Sequence, residues 1–216
     1  MKRSLSFIVA SVLVLYLALP VFAEEPKPIQ LPAPQTDGGR PLMQVLKDRA
    51  TVREYKSDPL PPQELSNLLW AAFGINRADS GKRTAPTAMN RQEIDIYVAL
   101  ADGLYLWDAK ANVLNLVLAQ DIREATGRQP FVKDAPVNLV FVTDMAKMGD
   151  RGKEYHELYS WADTGFISEN VYLYCASAGL GTVVRGAVDR EALAKAMNLR
   201  PDQKIVFAQT VGYPKK

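Results

Sequence analysis

The amino-acid sequence predicts an α+β fold, in which helices and strands mix without a strict alternation of the two. Two observations carry this prediction. Residues 163–178 place apolar side chains at helical spacing, whereas residues 94–100 alternate apolar and polar side chains as a half-buried strand does. The chain has 216 residues, 48% of them hydrophobic and 23% charged, which is typical of one globular domain.

The N-terminus has the pattern of an exported protein. Lys2 and Arg3 precede an apolar run over residues 7–19. Small residues, Val21 and Ala23, then stand three and one positions before the expected cleavage point after Ala23. This order predicts a signal peptide over residues 1–23, cleaved after Ala23, and hence a periplasmic or secreted protein. We expect no stable membrane insertion after cleavage, because the apolar run is too short to span a bilayer comfortably.

The remaining chain divides into an arm and a domain. Residues 24–40 carry four prolines and no apolar periodicity, which predicts an arm or linker before a domain over residues 41–216. The predicted helices cover residues 41–50, 61–74, 122–126 and 190–198, the last behind the capping residue Asp189, and a loop covers residues 76–90. The predicted strands cover residues 94–100, 104–107, 113–118, 137–142, 182–184 and 205–211.

The stretch over residues 163–189 predicts a buried central helix that leads into a strand. Asp163 or Thr164 would cap this helix, and Gly179 would end it in a left-handed turn. The strand would finish at Gly186, where backbone amides could face a ligand. The apolar positions of the helix are Phe166, Ile167, Val171, Tyr174, Cys175 and Ala178.

Composition excludes several classes of function. Without residues 1–23, which contain Lys2 and Arg3 and no acidic residue, 24 basic residues balance 24 acidic ones, so nothing predicts a nucleic-acid partner. A histidine-based metal cluster is excluded because His156 is the only histidine. The only cysteine, Cys175, lies in the predicted buried helix, where a small buried hydrophobe is expected rather than a reactive thiol.

Three polar segments interrupt the apolar pattern, and the first covers residues 49–53. If this segment is extended, Arg49, Thr51 and Arg53 share one face. Two guanidinium groups and a hydroxyl suit a phosphate, since arginine offers paired donors that match phosphate oxygens. The alternative is a solvated basic face, which the segment taken alone favours.

The second and third segments offer backbone and amide groups. In residues 83–92, Pro86 fixes one dihedral angle, the small residues Thr87 and Ala88 let a ligand approach the backbone, and Asn90 offers both a donor and an acceptor. A plain turn would use the same residue types. The third segment covers residues 184–187, and its simple alternative is the end of a strand.

Taken together and in this order, these segments resemble the flavin-dependent nitroreductase family over residues 45–214. The resemblance is closest to the branch of thiazole/oxazole-forming dehydrogenases, whose members carry a similar Arg-Thr-x-Pro-Ser loop. The motifs that carry it are RATVREY, LSNLLWAAFGI, RTAPTAMNRQEIDIYV, DTGFISENVYLYCASAGLGT and VGYP.

This resemblance implies a central, mostly antiparallel or mixed sheet flanked by helices, and an intertwined homodimer that binds FMN at its interface. No side chain is implied to be catalytic, because the flavin carries the hydride. The implied cofactor-binding residues are Arg49, Ala50, Thr51 and Arg53 at the phosphate and ribityl chain, Pro86, Thr87, Ala88 and Asn90 beside the isoalloxazine ring, and Arg185 and Gly186, the amide of Gly186 facing flavin N5.

The chain also departs from the family pattern. Thr87 and Ala88 stand where many members have two serines, and residues 91–93 replace a common Ser-Gln-Pro. Members usually continue beyond VGYP to a basic residue that reaches the phosphate, a role open here to Lys215 or Lys216.

The implied function is an exported FMN-dependent oxidoreductase that transfers a hydride to or from a small organic substrate. The electron donor is unknown, and NAD(P)H is possible. Two alternatives stay open, namely an azoline-type dehydrogenase that acts on a peptide and a non-catalytic flavin-binding protein. Four aromatic side chains line the substrate side of the flavin pocket or simply pack together, namely Tyr155, His156, Tyr159 and Trp161.

Overall fold

The computed structural model describes residues 27–215. The signal peptide predicted over residues 1–23, and Lys216, lie outside this range. Within it, a seven-stranded sheet has every neighbouring pair antiparallel, in the order β1-β6-β5-β4-β7-β9-β8. The strands are β1 (Ile29–Gln30), β4 (Ile94–Ala99), β5 (Leu104–Asp108), β6 (Val113–Leu118), β7 (Val137–Asp144), β8 (Gly181–Arg185) and β9 (Gln203–Gly212), and a separate hairpin pairs β2 (Ile75–Arg77) with β3 (Lys82–Arg83).

The sheet is centred on β7, and all eight of its residues are buried. This strand lies between β4 and β9, with Val140 opposite Tyr97 on one side and opposite Ala208 on the other. A strand covered on both faces needs apolar residues at consecutive positions, which explains the nearly continuous apolar run of residues 137–142. The α+β prediction is confirmed.

Four α-helices cover the two faces of this sheet. The helices are α1 (Leu42–Asp48), α2 (Pro62–Phe73), α3 (Lys153–Ala178) and α4 (Arg190–Ala196). One core contains α2, α3 and alternate residues of β4 and β7, and a second contains α4 and the intervening residues of the same strands. The predicted capping role of Asp189 is confirmed, because its side chain accepts a hydrogen bond from the Ala192 amide.

Three local predictions differ from the structure. The segment predicted as an arm adds β1 to the sheet, with Ile29 opposite Leu114, and buries Leu31. The loop predicted over residues 76–90 contains most of the β2–β3 hairpin, and the short helix near residue 122 is a single 3-10 turn over Arg123–Thr126. Each of these elements is too short to produce apolar periodicity.

The central helix α3 begins ten residues earlier than predicted. It starts at Lys153 after Gly152, so the prediction that Asp163 or Thr164 caps it is wrong. Both residues lie in mid-helix and are buried, while Phe166, predicted to be buried, is 50% exposed. Gly179 ends the helix at φ 75°, a left-handed conformation that glycine adopts without steric cost, as predicted.

The two remaining expectations concern Cys175 and the membrane. Cys175 is buried in the core, and burial raises the pKa of its thiol, which fits an unreactive side chain. Within residues 27–215, no helix is long and apolar enough to cross a bilayer.

Candidate functional site

The three polar segments all lie against α3. Tyr172 of this helix contacts the first segment, Asp163 contacts the second, and Trp161 packs near the third. Asp163 and Tyr172 are nine positions apart, which is about 14 Å along the helix axis. The structure therefore places segments that are distant in sequence along a single helix.

The first segment runs as extended chain beside β8. Arg49 has backbone angles of φ −56° and ψ 119°, and Thr51 forms a parallel bridge with Thr182, strengthened by a hydrogen bond of 3.0 Å from the Val52 amide to the Thr182 carbonyl. These contacts favour the extended conformation on which the shared face of Arg49, Thr51 and Arg53 depends. Ala50, Thr51 and Arg53 are exposed.

Tyr172 links this segment to β8. Its hydroxyl lies 3.3 Å from Thr51 Oγ1 and accepts a hydrogen bond of 3.1 Å from the Val184 amide. The guanidinium of Arg49 lies over the Tyr172 ring, 5.3 Å from the centroid. Within residues 27–215, neither Arg49 nor Arg53 has a carboxylate partner, so both cations remain available to an anionic ligand.

The second segment forms a tight loop over residues 87–92. The Ala88 amide donates a hydrogen bond of 2.8 Å to Asp163 Oδ2, and the Gln92 amide donates one of 2.9 Å to Thr87 Oγ1. Asn90 Oδ1 accepts from Gln92 Nε2 at 3.2 Å. The Ala88 amide and the Thr87 hydroxyl are therefore occupied by bonds that hold the loop in place, while Pro86 and Asn90 are exposed.

This loop is strained. Met89, Asn90 and Gln92 all have positive φ angles, of 56°, 54° and 50°. Non-glycine residues in this region persist only when their surroundings enforce it, and such residues concentrate at binding sites. The loop is also tied to the start of α3, because the Tyr155 hydroxyl lies 3.6 Å from Met89 Sδ.

The third segment separates Arg185 from Gly186. The Arg185 side chain turns into the interior and donates to the Thr126 carbonyl at 2.7 Å, to Asn138 Oδ1 at 3.0 Å and to Thr210 Oγ1 at 3.1 Å. Burial lowers the pKa of this guanidinium to about 10. Its side chain is thus unavailable to a cofactor, and only its backbone can contribute to a site.

Gly186 is exposed, and its N–H has no hydrogen-bond partner among residues 27–215. A side chain there would meet only the ring of Phe207, at 3.7 Å. Phe207 in turn packs edge-on against Trp161, with ring centroids 4.9 Å apart. The free amide at the end of β8 is the donor that the sequence predicts for a ligand.

The four aromatic residues that the sequence offered for the substrate side of the pocket, Tyr155, His156, Tyr159 and Trp161, divide into two groups. The rings of Tyr155 and Tyr159 pack at a tilt of 47° with centroids 4.4 Å apart, which is ordinary packing. His156 and Trp161 instead help to line a cavity of about 670 Å³. Arg190 lies over the Trp161 ring, and the cavity is otherwise lined by Thr143, Met145, Lys153, Glu157, Ser160, Lys204, Ile205 and Val206.

Sequence reasoning missed Tyr172, the roles of Asp163 and Glu93, and the burial of the Arg185 side chain. The polar residues of α3 at positions 160, 163, 164 and 168 gave a signal, because buried polar side chains in mid-helix need a specific partner. Within the described chain, no group of three metal-ligating side chains could hold a metal ion.

Comparisons with known proteins agree with this geometry. Residues 46–213 match the family model described as the nitroreductase family. Among solved structures, the chain is similar to a protein of Ralstonia eutropha JMP134 that is named as a nitroreductase. The two are 44% identical, and the match covers 89% of this chain and 92% of that one with a TM-score of 0.85.

Two curated relatives extend the comparison. A protein of Methanocaldococcus jannaschii named as a nitroreductase is 33% identical over 160 residues, which cover 68% of this chain and 78% of that protein. The FMN reductase [NAD(P)H] of Bacillus subtilis strain 168 is 23% identical over 159 residues, covering 68% of this chain and 54% of that protein. The chain belongs to the nitroreductase family and has the fold of an oxidoreductase of that family.

Proposed function

We propose that this protein is an exported FMN-dependent oxidoreductase that acts on a small organic substrate. The observation that carries the proposal is the arrangement of three segments along α3. Arg49 and Arg53, without a carboxylate partner in the described chain, lie at one end, and the Gly186 amide, without an acceptor there, lies near the other. The name of the Bacillus subtilis relative supports FMN as the ligand.

The residues present fit this cofactor. Arg49 and Arg53 offer cationic donors to the phosphate, and Thr51 offers a hydroxyl beside them. Pro86 and Asn90 present an exposed edge to the flat ring system, and the Gly186 N–H can donate to a ring nitrogen. When bound, FMN would supply hydride transfer, and the protein's part would be to bind it, orient it and exclude water.

The end of the chain supports the phosphate site. The Lys215 amide donates a hydrogen bond of 3.0 Å to the carbonyl of Glu54, and Tyr55 forms an antiparallel bridge with Pro214. Lys215 is thereby held beside the residue that follows Arg53, and its exposed side chain is a third cation near the proposed phosphate. We assign to Lys215 the role of the family's C-terminal basic residue.

A test must separate an enzyme from a flavin-binding protein without catalysis. We expect the purified protein to shift the visible spectrum of added FMN, and a donor such as NAD(P)H or a chemical reductant to bleach it until a nitroaromatic or quinone acceptor restores it. Bound FMN that no donor reduces would support the non-catalytic alternative. Dehydrogenation of an azoline-containing peptide would support the azoline dehydrogenase alternative.

The dimer predicted from the family resemblance finds support in exposed apolar side chains. Leu158, Trp161 and Phe166 of α3 and Met43 of α1 are all exposed, as are their neighbours Leu42 and Leu46. Large apolar side chains exposed on two helices that contact each other are typical of an interface. We propose that a second copy covers this surface and completes the site.

Phe166→Glu is expected to weaken that dimer. A charge placed in an apolar interface lacks a partner, so sedimentation should show dimers of the wild type and monomers of the variant at micromolar concentration. Val117→Glu is the matched control, because Val117 is exposed on β6, in another part of the sheet. A stable FMN-loaded wild-type monomer would contradict the shared-site proposal.

Export is proposed on the sequence pattern of residues 1–23. Mass spectrometry of the exported protein should show a chain that begins at Glu24. A chain that keeps residues 1–23 in the membrane would replace this proposal with an anchored protein. An exported protein would meet little NAD(P)H, so the proposal does not name its electron donor.

A further inference from the structure

A pair of buried carboxyl groups lies behind the strained loop. Glu93 is 0% exposed, and within residues 27–215 neither of its carboxylate oxygens accepts a hydrogen bond from an N–H or hydroxyl donor. Asp163 is 3% exposed, and its Oδ2 holds the Ala88 amide at 2.8 Å. An unpartnered buried carboxylate is costly, so Glu93 requires an explanation that ordinary packing does not give.

The explanation lies in the contact between the two acids. Burial, followed by a hydrogen bond and charge repulsion from Asp163, raises the pKa of Glu93 to about 7. Two adjacent carboxylates in a low-dielectric interior cannot both be ionised without a large penalty. A protonated Glu93 carboxyl instead donates to Asp163, which gives the protonated oxygen a partner and leaves Asp163 Oδ2 able to accept from the Ala88 amide.

The surrounding cations do not neutralise the two carboxyl groups. Lys147 of the turn after β7 attracts the Glu93 carboxylate, but its Nζ lies 2.6 Å from Asp95 Oδ1 and is paired there. Arg91, on the loop itself, has a buried Nε without a partner in the described chain, and its guanidinium lies beside Gly149. None of these groups forms an ion pair with Glu93 or Asp163 in the described chain.

Each end of the loop is attached to one of the two acids. Glu93 directly follows Gln92, one of the three positive-φ residues, and its carbonyl accepts a hydrogen bond of 2.8 Å from the Asp144 amide. Asp163 holds Ala88, which directly precedes Met89. Strained residues persist only when their surroundings over-determine them, and these contacts do so here.

We propose that Glu93 and Asp163 share one proton, that the shared proton holds the loop over residues 87–92 in its strained conformation, and that its loss to solvent water loosens the loop. Both residues are positioning residues, because they act through the Ala88 amide. The consequence for FMN rests on the proposed function, in which this loop flanks the flavin ring. FMN would then bind more weakly on the alkaline side of the transition.

The first experiment needs no flavin. In ¹⁵N-labelled apo-protein, the Ala88 amide resonance should titrate with a midpoint near 7, reporting the pair through its hydrogen bond to Asp163. Glu93→Gln should abolish this transition and keep the low-pH chemical shift, because the glutamine amide still donates to Asp163. A resonance that does not titrate in the wild type, or that titrates equally in Glu93→Gln, would overturn the proposal.

Asp163→Asn provides a second variant that also removes the like charge. Its Ala88 resonance should titrate with a lower midpoint than in the wild type, because Glu93 stays buried but no longer faces a carboxylate. An unchanged midpoint in Asp163→Asn would show that the two carboxyl groups do not interact, and would also overturn the proposal.

The second experiment measures FMN affinity at about pH 6 and about pH 8.5, on either side of this midpoint. Wild type should bind several-fold more weakly at the higher pH, while Glu93→Gln should bind equally at both. Equal pH dependence in the two proteins would contradict the coupling to FMN. Absence of any FMN binding would contradict the proposed function instead, and the Ala88 titration would still decide whether the pair shares a proton.

Discussion

Replacing Gly127 by alanine is expected to lower the free energy of unfolding by about 3 kcal/mol, because the new methyl group displaces a buried guanidinium. A Cβ at Gly127 would lie 1.7 Å from Arg185 Nη1 and 2.9 Å from its Cζ. A long side chain usually moves aside at little cost. Arg185 cannot do so here, because Thr126, Asn138 and Thr210 hold its guanidinium by four hydrogen bonds.

The displacement would take the donor from a buried carbonyl oxygen. The Thr126 carbonyl would lose the bond of 2.7 Å that Arg185 donates to it, and Thr126 is fully buried. Asn138 Oδ1 would lose its bond of 3.0 Å from Arg185 but would keep one of 2.6 Å from the Thr210 hydroxyl. Each unsatisfied buried acceptor costs about 1–3 kcal/mol, and overpacking adds about 1–3 kcal/mol. The guanidinium would also lose the only polar contacts that offset its burial within the described chain.

A double-mutant cycle in urea isolates this cause. In the Arg185→Ala background the clash is absent, so the added cost of Gly127→Ala should fall below about 1 kcal/mol. Gly38→Ala is the matched control, because no atom beyond its chain neighbours lies within 4 Å of the position that the new methyl group would take, and only a small change is expected. An equal cost of Gly127→Ala in both backgrounds would show that Arg185 is not what excludes the methyl group.

The elements that the sequence predicted well are those with long apolar patterns or strong end signals. The eight-residue strand β7, the hairpin before β5 and the Gly179 helix end follow from apolar runs and turn residues. The strand β1 has only two residues, and pairing with a distant segment decides its structure. Such tertiary contacts leave no local periodicity to detect.

The central helix shows why a capping pattern can mislead. Asp163 precedes an apolar run, as a capping residue does, but in the fold its carboxylate caps nothing and holds the Ala88 amide instead. The true start at Lys153 follows Gly152 and has no side-chain cap. The first ten residues of α3 do place Tyr155, Leu158, Tyr159 and Ala162 at helical spacing, which is a signal of the earlier start that the capping pattern at Asp163 outweighed.

The site was predictable only as segments. Residue types at positions 49–53, 83–92 and 184–187 indicated phosphate and ring binding, because arginine and free amides have specific chemistry. Their common contact with α3 depends on the path of the chain, which no local pattern encodes. The direction of the Arg185 side chain was likewise unpredictable, because alternation along β8 allowed either face.

Arg53→Ala is expected to weaken FMN binding by about tenfold to a hundredfold and to leave riboflavin binding almost unchanged. A charge-assisted hydrogen bond to a phosphate contributes about 1.5–3 kcal/mol, and each 1.4 kcal/mol is a factor of ten in affinity. Arg53 is exposed and has no carboxylate partner in residues 27–215, so its loss should not disturb the fold. Riboflavin lacks the phosphate and therefore reports on the ring site alone.

Arg49→Ala should weaken FMN binding by a similar factor but should also lower riboflavin affinity modestly. Its guanidinium lies over the ring of Tyr172, which orders the segment beside β8, so its removal affects position as well as charge. Titration of both flavins into each variant gives the measurement, and Lys47→Ala, an exposed cation on α1, is the control. Equal losses for FMN and riboflavin in Arg53→Ala would mean that the arginine supports the fold. Unchanged FMN affinity in both arginine variants would leave the segment a solvated basic face, and the phosphate would have to bind elsewhere.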